Sequence, residues 1–179
     1  MKKTMCLALI ICILFSTFVY SVSAQNNMTD AWDIMVMVNG KRVVQDSNGV
    51  ALVIKTSWIG QSAVNLAPVR AICEALGANI NWNNESQTVT VYNDIAAIAL
   101  QTNNKLITIG RKTLAGDYSN TVTEQIMAEP VNIGGTVYIP IRAVAEGLGA
   151  TVEWVQEEKL IKINSASQPQ TPNTVPVMH

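Results

Sequence analysis

The chain has 179 residues, and its 12 Lys and Arg nearly balance its 13 Asp and Glu, for a formal net charge of −1. A near-neutral chain without a basic cluster lacks the electrostatic signature of a nucleic-acid-binding protein, so no nucleic-acid partner is expected. The length is enough for one domain, or for two small lobes that share a core.

The N-terminus has the pattern of a secretory signal peptide. Lys2 and Lys3 give a positive start, and an apolar run follows over residues 7–20. The small residues of 21–24 then predict cleavage after Ala24. The apolar run is shorter than the roughly 20 residues of a spanning helix, which favours cleavage over an uncleaved membrane anchor. We therefore expect a secreted or cell-surface protein, without stable membrane insertion after signal cleavage.

Cleavage at this point would change the charge and the cysteine content. Residues 1–24 hold two of the 12 basic residues and no acid, so the mature chain would be mildly acidic at net −3. They also hold Cys6 and Cys12, which would leave Cys73 without an intramolecular disulfide partner. Cys73 lies on the apolar face of a predicted helix, so a buried small side chain is favoured over a reactive thiol.

After a polar leader at 25–31, the first half contains several strand signals. Apolar runs at 34–38 and 43–44 flank Asn39-Gly40, which predicts a β-hairpin. The run Asp46-Ser47-Asn48-Gly49 is read as a turn, and a further strand is expected at 51–54. The strand expected before the first helix, at 62–67, is only weakly marked.

The segment 68–82 recurs as 140–154 without a gap. The identical pairs are Pro68/Pro140, Arg70/Arg142, Ala71/Ala143, Glu74/Glu146, Leu76/Leu148, Gly77/Gly149, Ala78/Ala150 and Trp82/Trp154. A match of this quality indicates that one structural unit occurs twice.

Each copy reads as a short helix followed by a hairpin. Pro68 and Pro140 suit the first helical position, and apolar residues then recur at i, i+3, i+4 and i+7, as in an amphipathic helix of two to three turns. Gly77 and Gly149 suit a left-handed C-terminal cap. The apolar period then changes from 3.6 to 2, which predicts a terminal β-hairpin in each copy.

The second half contains further strand signals before its helix. Runs at 95–100 and 106–109 flank an Asn-Asn turn, 125–128 is a third candidate strand, and 137–139 follows Gly134-Gly135. The predicted fold class is therefore α+β, with two repeated units. Each unit is a mainly antiparallel β-sheet with one short amphipathic helix and a terminal β-hairpin.

The boundaries follow from these elements. The units are assigned to 32–93 and 94–164, and their two-residue junction without Pro or Gly indicates that they pack as one domain. Residues 165–179 are Ser, Gln, Pro, Thr and Asn with few apolar residues, and are expected to be a disordered tail.

The pattern resembles the copper amine oxidase N-terminal-like domain, also called the stalk domain of secreted bacterial proteins. The resemblance covers 34–164 and is most specific at 134–143, at 148–150 and at Trp154. It implies a small α+β module with a twisted antiparallel sheet against a helix. Such modules occur at bacterial cell surfaces and are often attached to other domains.

The oxidase chemistry of the family name is not expected in this chain. In the family, that chemistry belongs to a separate catalytic domain with three copper-binding histidines and a tyrosine-derived quinone. This chain has one histidine, His179, so it cannot assemble such a site without histidines from a partner. No metal or cofactor is predicted.

Four repeated residues are candidate ligand contacts: Arg70, Arg142, Trp82 and Trp154. The tryptophans could stack on sugars, but they are in phase with core positions, which favours packing. The arginines lie in the first helical turn, where the helix dipole disfavours a cation, so each should have a specific partner. An intramolecular partner, such as the glutamate at i+4, a hairpin carbonyl or a Trp face, is favoured over an external anion.

Two functions from different classes fit the sequence. The favoured one is a non-catalytic exported module that binds or spaces an envelope component or a partner protein. The alternative is a secreted hydrolase acting on a cell-wall glycan or peptide through an unrecognised active site. No catalytic residues are predicted, because no catalytic motif or carboxylate pair stands out in the sequence.

Overall fold

The computed structural model describes residues 28–166, so the predicted signal peptide and residues 167–179 of the tail lie outside the described part. In chain order the elements are β1 Met28–Ala31, β2 Met35–Val38, β3 Lys41–Arg42, β4 Ile54–Ile59, β5 Ser62–Pro68, α1 Val69–Ala75, β6 Asn79–Asn83, β7 Thr88–Tyr92, β8 Ala96–Gln101, β9 Leu106–Lys112, β10 Tyr118–Gln125, β11 Val131–Ile133, β12 Thr136–Pro140, α2 Ile141–Gly147, β13 Thr151–Val155 and β14 Leu160–Asn164.

The strands form three sheets, ordered β1-β4-β5-β12-β11, β10-β9-β8-β7-β6 and β13-β14-β2-β3. The β14–β2 pair is parallel, and the other described strand pairs are antiparallel. Two short helices on mostly antiparallel sheets confirm the α+β class. The β7–β8 hairpin crosses the 93/94 junction, and β2 of the first half pairs with β14 of the second. Strand pairing therefore links the two halves at two places.

The helix starts differ from the prediction by one position. Pro68 and Pro140 are the N-cap residues and not the first helical residues, with ψ angles of 122° and 111°. Each proline ends a β-strand, which keeps its backbone extended until the helix begins. Its missing N–H still costs no helical hydrogen bond.

The helix ends agree with the prediction. Gly77 and Gly149 have φ angles of 70° and 88°, in the left-handed region. The Gly77 N–H donates to Glu74 O at 3.0 Å, and the Ala78 N–H donates to Cys73 O at 2.8 Å. These two bonds define a Schellman cap, and the same pattern closes α2.

Strands β5 and β12 bring the two helix starts together. Their register pairs Leu66 with Pro140, Ala67 with Ile139 and Pro68 with Tyr138. Because equivalent residues are 72 positions apart, this register is symmetric about the Ala67–Ile139 pair. The flanking sheets do not follow this symmetry, because β14 takes a parallel neighbour, β2, where β7 takes an antiparallel one, β8.

Both helices contribute to both of the larger core clusters. One cluster lies against β7, β8 and β9, and the other lies against β2 and β14. Cys73 packs in the first cluster, whereas the residue at the equivalent position, Ala145, packs in the second. Gly147 allows α2 to approach β8 closely, since an added Cβ would lie 3.0 Å from Ile98 Cγ2.

Four predictions need correction. The second strand of the Asn39-Gly40 hairpin, expected at 43–44, is β3 at Lys41–Arg42. The strand expected at 51–54 is instead β4, which begins at Ile54, and the one expected at 125–128 is β10, which ends at Gln125. β10 is an exposed edge strand, so its sequence lacks the apolar alternation of a half-buried strand, and it also contains a β-bulge between Ser119 and Val122. Residues 28–31 of the predicted polar leader form β1, where Met28 packs on a small apolar cluster.

One face of the β6–β10 sheet packs on the core. On the opposite face, the central row runs through Asn81, Thr90, Ala99, Thr108 and Thr123. Strand alternation puts Lys112 on this side as well, opposite Tyr118.

Candidate ligand groove beside the first helix

A groove of about 270 Å³ lies beside the start of α1 and contains two of the four candidate contacts, Arg70 and Trp82. The full lining consists of Asp46, Asn48, Val50, Pro68, Val69, Arg70, Ile80, Trp82, Val89, Asn132, Gly135, Thr136 and Val137. Arg142 and Trp154 do not line it. The structure therefore brings Arg70 and Trp82 together in a concave site.

Three separate segments build the walls of this groove. The first wall is the start of α1, from which Arg70 projects, together with β6, on which Trp82 lies opposite Val89 of β7. The β11–β12 turn forms a second wall, in which Asn132 Oδ1 accepts a hydrogen bond from the Gly135 N–H at 3.1 Å. The third wall is the loop of residues 45–51, called the α1 loop below.

Asp46 organises the α1 loop from inside. Its carboxylate is nearly buried, at 5% side-chain exposure, and Oδ1 accepts the N–H groups of Asn48 and Val50, both at 2.9 Å. Gly49 has a φ of 79°, as a tight turn at this point requires. The Asp-Ser-Asn-Gly run is thus a turn, as its sequence predicts.

Glu74 fastens the α1 loop to the helix. The Ser47 N–H and Oγ–H donate to the two oxygens of the Glu74 carboxylate at 2.8 and 2.7 Å. Charge-assisted bonds of this length are among the stronger hydrogen bonds in proteins. Glu74 is therefore committed to the loop.

Arg70 has two charged neighbours but only loose contacts with them. Its Nε lies 3.8 Å from Asp46 Oδ2, and its Nη1 lies 3.8 Å from Glu74 Oε1. These distances exceed the hydrogen-bond range, and the side chain is 48% exposed. Within residues 28–166 the guanidinium donates no hydrogen bond, so its planar donors are available to a ligand in the groove.

The equivalent residues of the second half have internal partners. Arg142 Nη1 donates to Glu146 Oε1 at 2.9 Å and to the Val152 carbonyl at 3.1 Å. Both are among the intramolecular partners that the sequence predicts. Trp154 departs from the predicted core position, because it lies on the edge strand β13 and is 37% exposed. Its Nε1–H donates to Gln156 Oε1 at 2.7 Å.

Two carboxyl groups have lowered pKa values. A hydrogen bond from the Lys159 ammonium lowers the pKa of Asp33, and one from Lys112 lowers the pKa of Asp94. The low pKa keeps both groups ionised at neutral pH, which is the opposite of what a general acid needs. Both also lie outside the lining of the groove.

Burial raises the pKa of the Cys73 thiol to about 12, with a smaller contribution from the negative charge of Glu74. The thiol is therefore protonated at physiological pH and is a poor nucleophile. Among the described residues, no group of three or more His, Cys, Asp and Glu is placed to hold a metal ion. None of the helices within residues 28–166 has the length and apolar character needed to cross a bilayer.

Sequence reasoning missed the residues that complete the groove. The turn signal at 46–49 was visible, but its docking onto Glu74 joins positions 27 residues apart. Asn132 and Thr136 come from still farther along the chain. No local pattern links these three segments.

The fold and the groove define a small α+β module with a shallow site between a helix start, a turn and a loop. A sequence profile of the copper amine oxidase N-terminal domain matches residues 37–163. The chain therefore belongs to the copper amine oxidase N-terminal domain family, which confirms the resemblance seen in the sequence. No curated protein and no solved structure matches the chain.

Proposed function

We propose that this protein is a non-catalytic exported module that binds, or spaces, a component of the cell envelope. The observation that carries the proposal is the convergence of Arg70 and Trp82 on one groove. Family membership supports the class of module, and the N-terminal signal pattern supports export.

The chemistry of the groove beside the start of α1, called the α1 groove below, suits a polar ligand. A guanidinium with available donors binds carboxylate, phosphate or hydroxyl oxygens, and the half-buried indole of Trp82 offers an apolar surface beside it. Asn48 and Asn132 add amide donors and acceptors. Asp46 is held by backbone N–H groups of its own loop, so it serves the groove as a fixed negative charge near Arg70.

We further propose that the chain consists of two repeated units packed as one domain. The sequence repeat, the matching Schellman caps and the symmetric β5–β12 register support this organisation. In this arrangement the second unit supports the first, because the β11–β12 turn supplies one wall of the groove.

The test is co-sedimentation of the purified full-length chain with isolated cell envelopes, and with envelopes stripped of protein or of glycan. We expect saturable retention that one of the stripping treatments removes. Absence of retention on every envelope preparation would contradict the binding function. Turnover of an envelope glycan or peptide by the purified chain would contradict the non-catalytic assignment and favour the hydrolase alternative.

A further inference from the structure

Strand β6 forms one free edge of the β6–β10 sheet. It pairs with β7 on one side, and among the described residues no backbone group of 79–83 has a hydrogen-bond partner on the other side. A free edge presents alternate backbone N–H and C=O groups, and a further β-strand is the partner that pairs with all of them. The edge of β6 is therefore a candidate surface for the addition of a strand.

The other edge strands of the described sheets are protected against such addition. Strands β3 and β11 have only two and three residues. Strand β10 contains a β-bulge and Glu124, β1 carries Asp30, and β13 carries Glu153. Short length, bulges and charges are the usual protection of sheet edges. Strand β6 has five residues, Asn-Ile-Asn-Trp-Asn, and lacks all three features.

The equivalent strand of the second repeat, β13, differs from β6 at its middle position. Glu153 occupies the place of Asn81. If β13 paired antiparallel with β13 of another molecule about this position, two Glu153 carboxylates would lie opposite each other, and like charges in that position destabilise a strand pair. The same pairing of β6 places Asn81 opposite Asn81, and two amides can hydrogen-bond to each other. Self-pairing is therefore chemically favourable at β6 and unfavourable at β13.

The remaining positions of β6 are also self-complementary. In an antiparallel pairing centred on Asn81, Ile80 lies opposite Trp82 of the second molecule, and Asn79 lies opposite Asn83. An aromatic side chain opposite a β-branched one is a favourable cross-strand pair. Ile80 and Trp82 are half-buried and line the α1 groove, so open space adjoins them on the core side. Each side of the joined strands would thus keep one chemical character, apolar on the core side and amide on the other.

We infer that the protein forms a two-fold dimer through β6, in which two five-stranded sheets join into one continuous sheet. The contact is isologous, because the same strand serves both molecules and Asn81 lies at the two-fold axis. Five residues from each molecule make a small contact, so the dimer is expected to be weak and reversible. This inference goes beyond the proposed envelope binding, and Arg70, which carries that proposal, does not lie on β6.

The test is sedimentation equilibrium of the purified exported chain over roughly 0.01–1 mM, a range that reveals weak association. We expect the weight-average mass to rise with concentration from that of a monomer toward that of a dimer. A monomeric mass throughout this range would overturn the inference. A mass that continues to rise beyond the dimer would overturn the closed two-fold arrangement.

Paired charge variants locate the interface. Asn81→Lys or Asn81→Glu alone places like charges at the two-fold axis and should weaken dimerisation about tenfold or more. An equimolar mixture of the two places Lys opposite Glu and should restore dimerisation, which distinguishes repulsion at the interface from a loss of folding. Undiminished dimerisation of both variants would overturn the inference, and so would a mixture no more dimeric than its components.

Two controls separate the β6 edge from other surfaces. Glu153→Lys changes the charge at the equivalent exposed position of β13, and Arg70→Ala alters the α1 groove. Both variants should dimerise as wild type does. Loss of dimerisation with Glu153→Lys would assign the contact to β13 and overturn the inference. Because the readout is the mass of the free protein, a failure of envelope binding leaves the dimer test unchanged, and the reverse also holds.

Discussion

The two copies of the repeated segment contain the same arginine, glutamate and tryptophan, yet these residues have different contacts. In the second copy Arg142 donates to Glu146 at 2.9 Å, whereas in the first Arg70 stays 3.8 Å from Glu74. The cause is the α1 loop, because its Ser47 already holds the Glu74 carboxylate. The comparison shows that a neighbouring loop decides whether a repeated arginine hydrogen-bonds within the fold or faces a groove.

The tryptophans also differ, although both lie on edge strands, β6 and β13. Trp82 packs against the core cluster of the β6–β10 sheet and lines the groove, whereas Trp154 is 37% exposed. Identity at a repeated position therefore predicts local backbone better than it predicts burial.

The largest difference between the copies should appear at the capping glycines. Gly149→Ala would force a left-handed alanine and place its Cβ 3.1 Å from Ile95 Cγ2, whereas at Gly77 an added Cβ meets nothing within 4 Å. We expect Gly149→Ala to lower the free energy of unfolding by about 3 kcal/mol and Gly77→Ala by about 1 kcal/mol. Urea denaturation of both variants measures this, and equal losses would contradict the asymmetric packing.

The next effect concerns Cys73, whose equivalent in the second copy is Ala145. Because burial raises the Cys73 pKa from 9.0 to about 12, the unfolded thiol ionises in this range while the native thiol stays protonated. The contribution of this thiol to the free energy of unfolding is therefore fully present below pH 9, and it falls by about 1.4 kcal/mol per pH unit up to pH 12. The check is the difference between wild type and Cys73→Ala in denaturation curves at pH 8, 10 and 11. Parallel pH profiles for the two proteins would show that the thiol is not buried as described.

The smallest expected effect on stability is the difference between the Arg142→Ala and Arg70→Ala variants. Arg142→Ala removes two hydrogen bonds between helix and hairpin, and at 59% side-chain exposure we expect a loss of about 1 kcal/mol. Arg70→Ala removes only loose ion pairs and should cost less than about 0.5 kcal/mol. Thermal unfolding of the two variants ranks them. A larger loss for Arg70→Ala would reverse the assigned roles.

Local signals explain why much of the fold was predictable. The Asn39-Gly40 hairpin, the amphipathic helices and the Gly77 and Gly149 caps depend on neighbouring residues, and all are present. Strand β10 was misplaced because it is an exposed edge strand whose sequence has no apolar alternation. The groove could not be predicted as a whole, since its walls come from segments that only the folded sheets bring together.

The most direct measurement of the central claim compares Arg70→Ala with Arg142→Ala in envelope co-sedimentation, at a temperature where both variants are folded. If the α1 groove is the binding site, Arg70→Ala should lower affinity about tenfold or more, equivalent to ~1.4 kcal/mol, while Arg142→Ala should bind as wild type does. Equal retention of the two variants, or a loss confined to Arg142→Ala, would contradict the assignment of the first copy as the ligand-binding one.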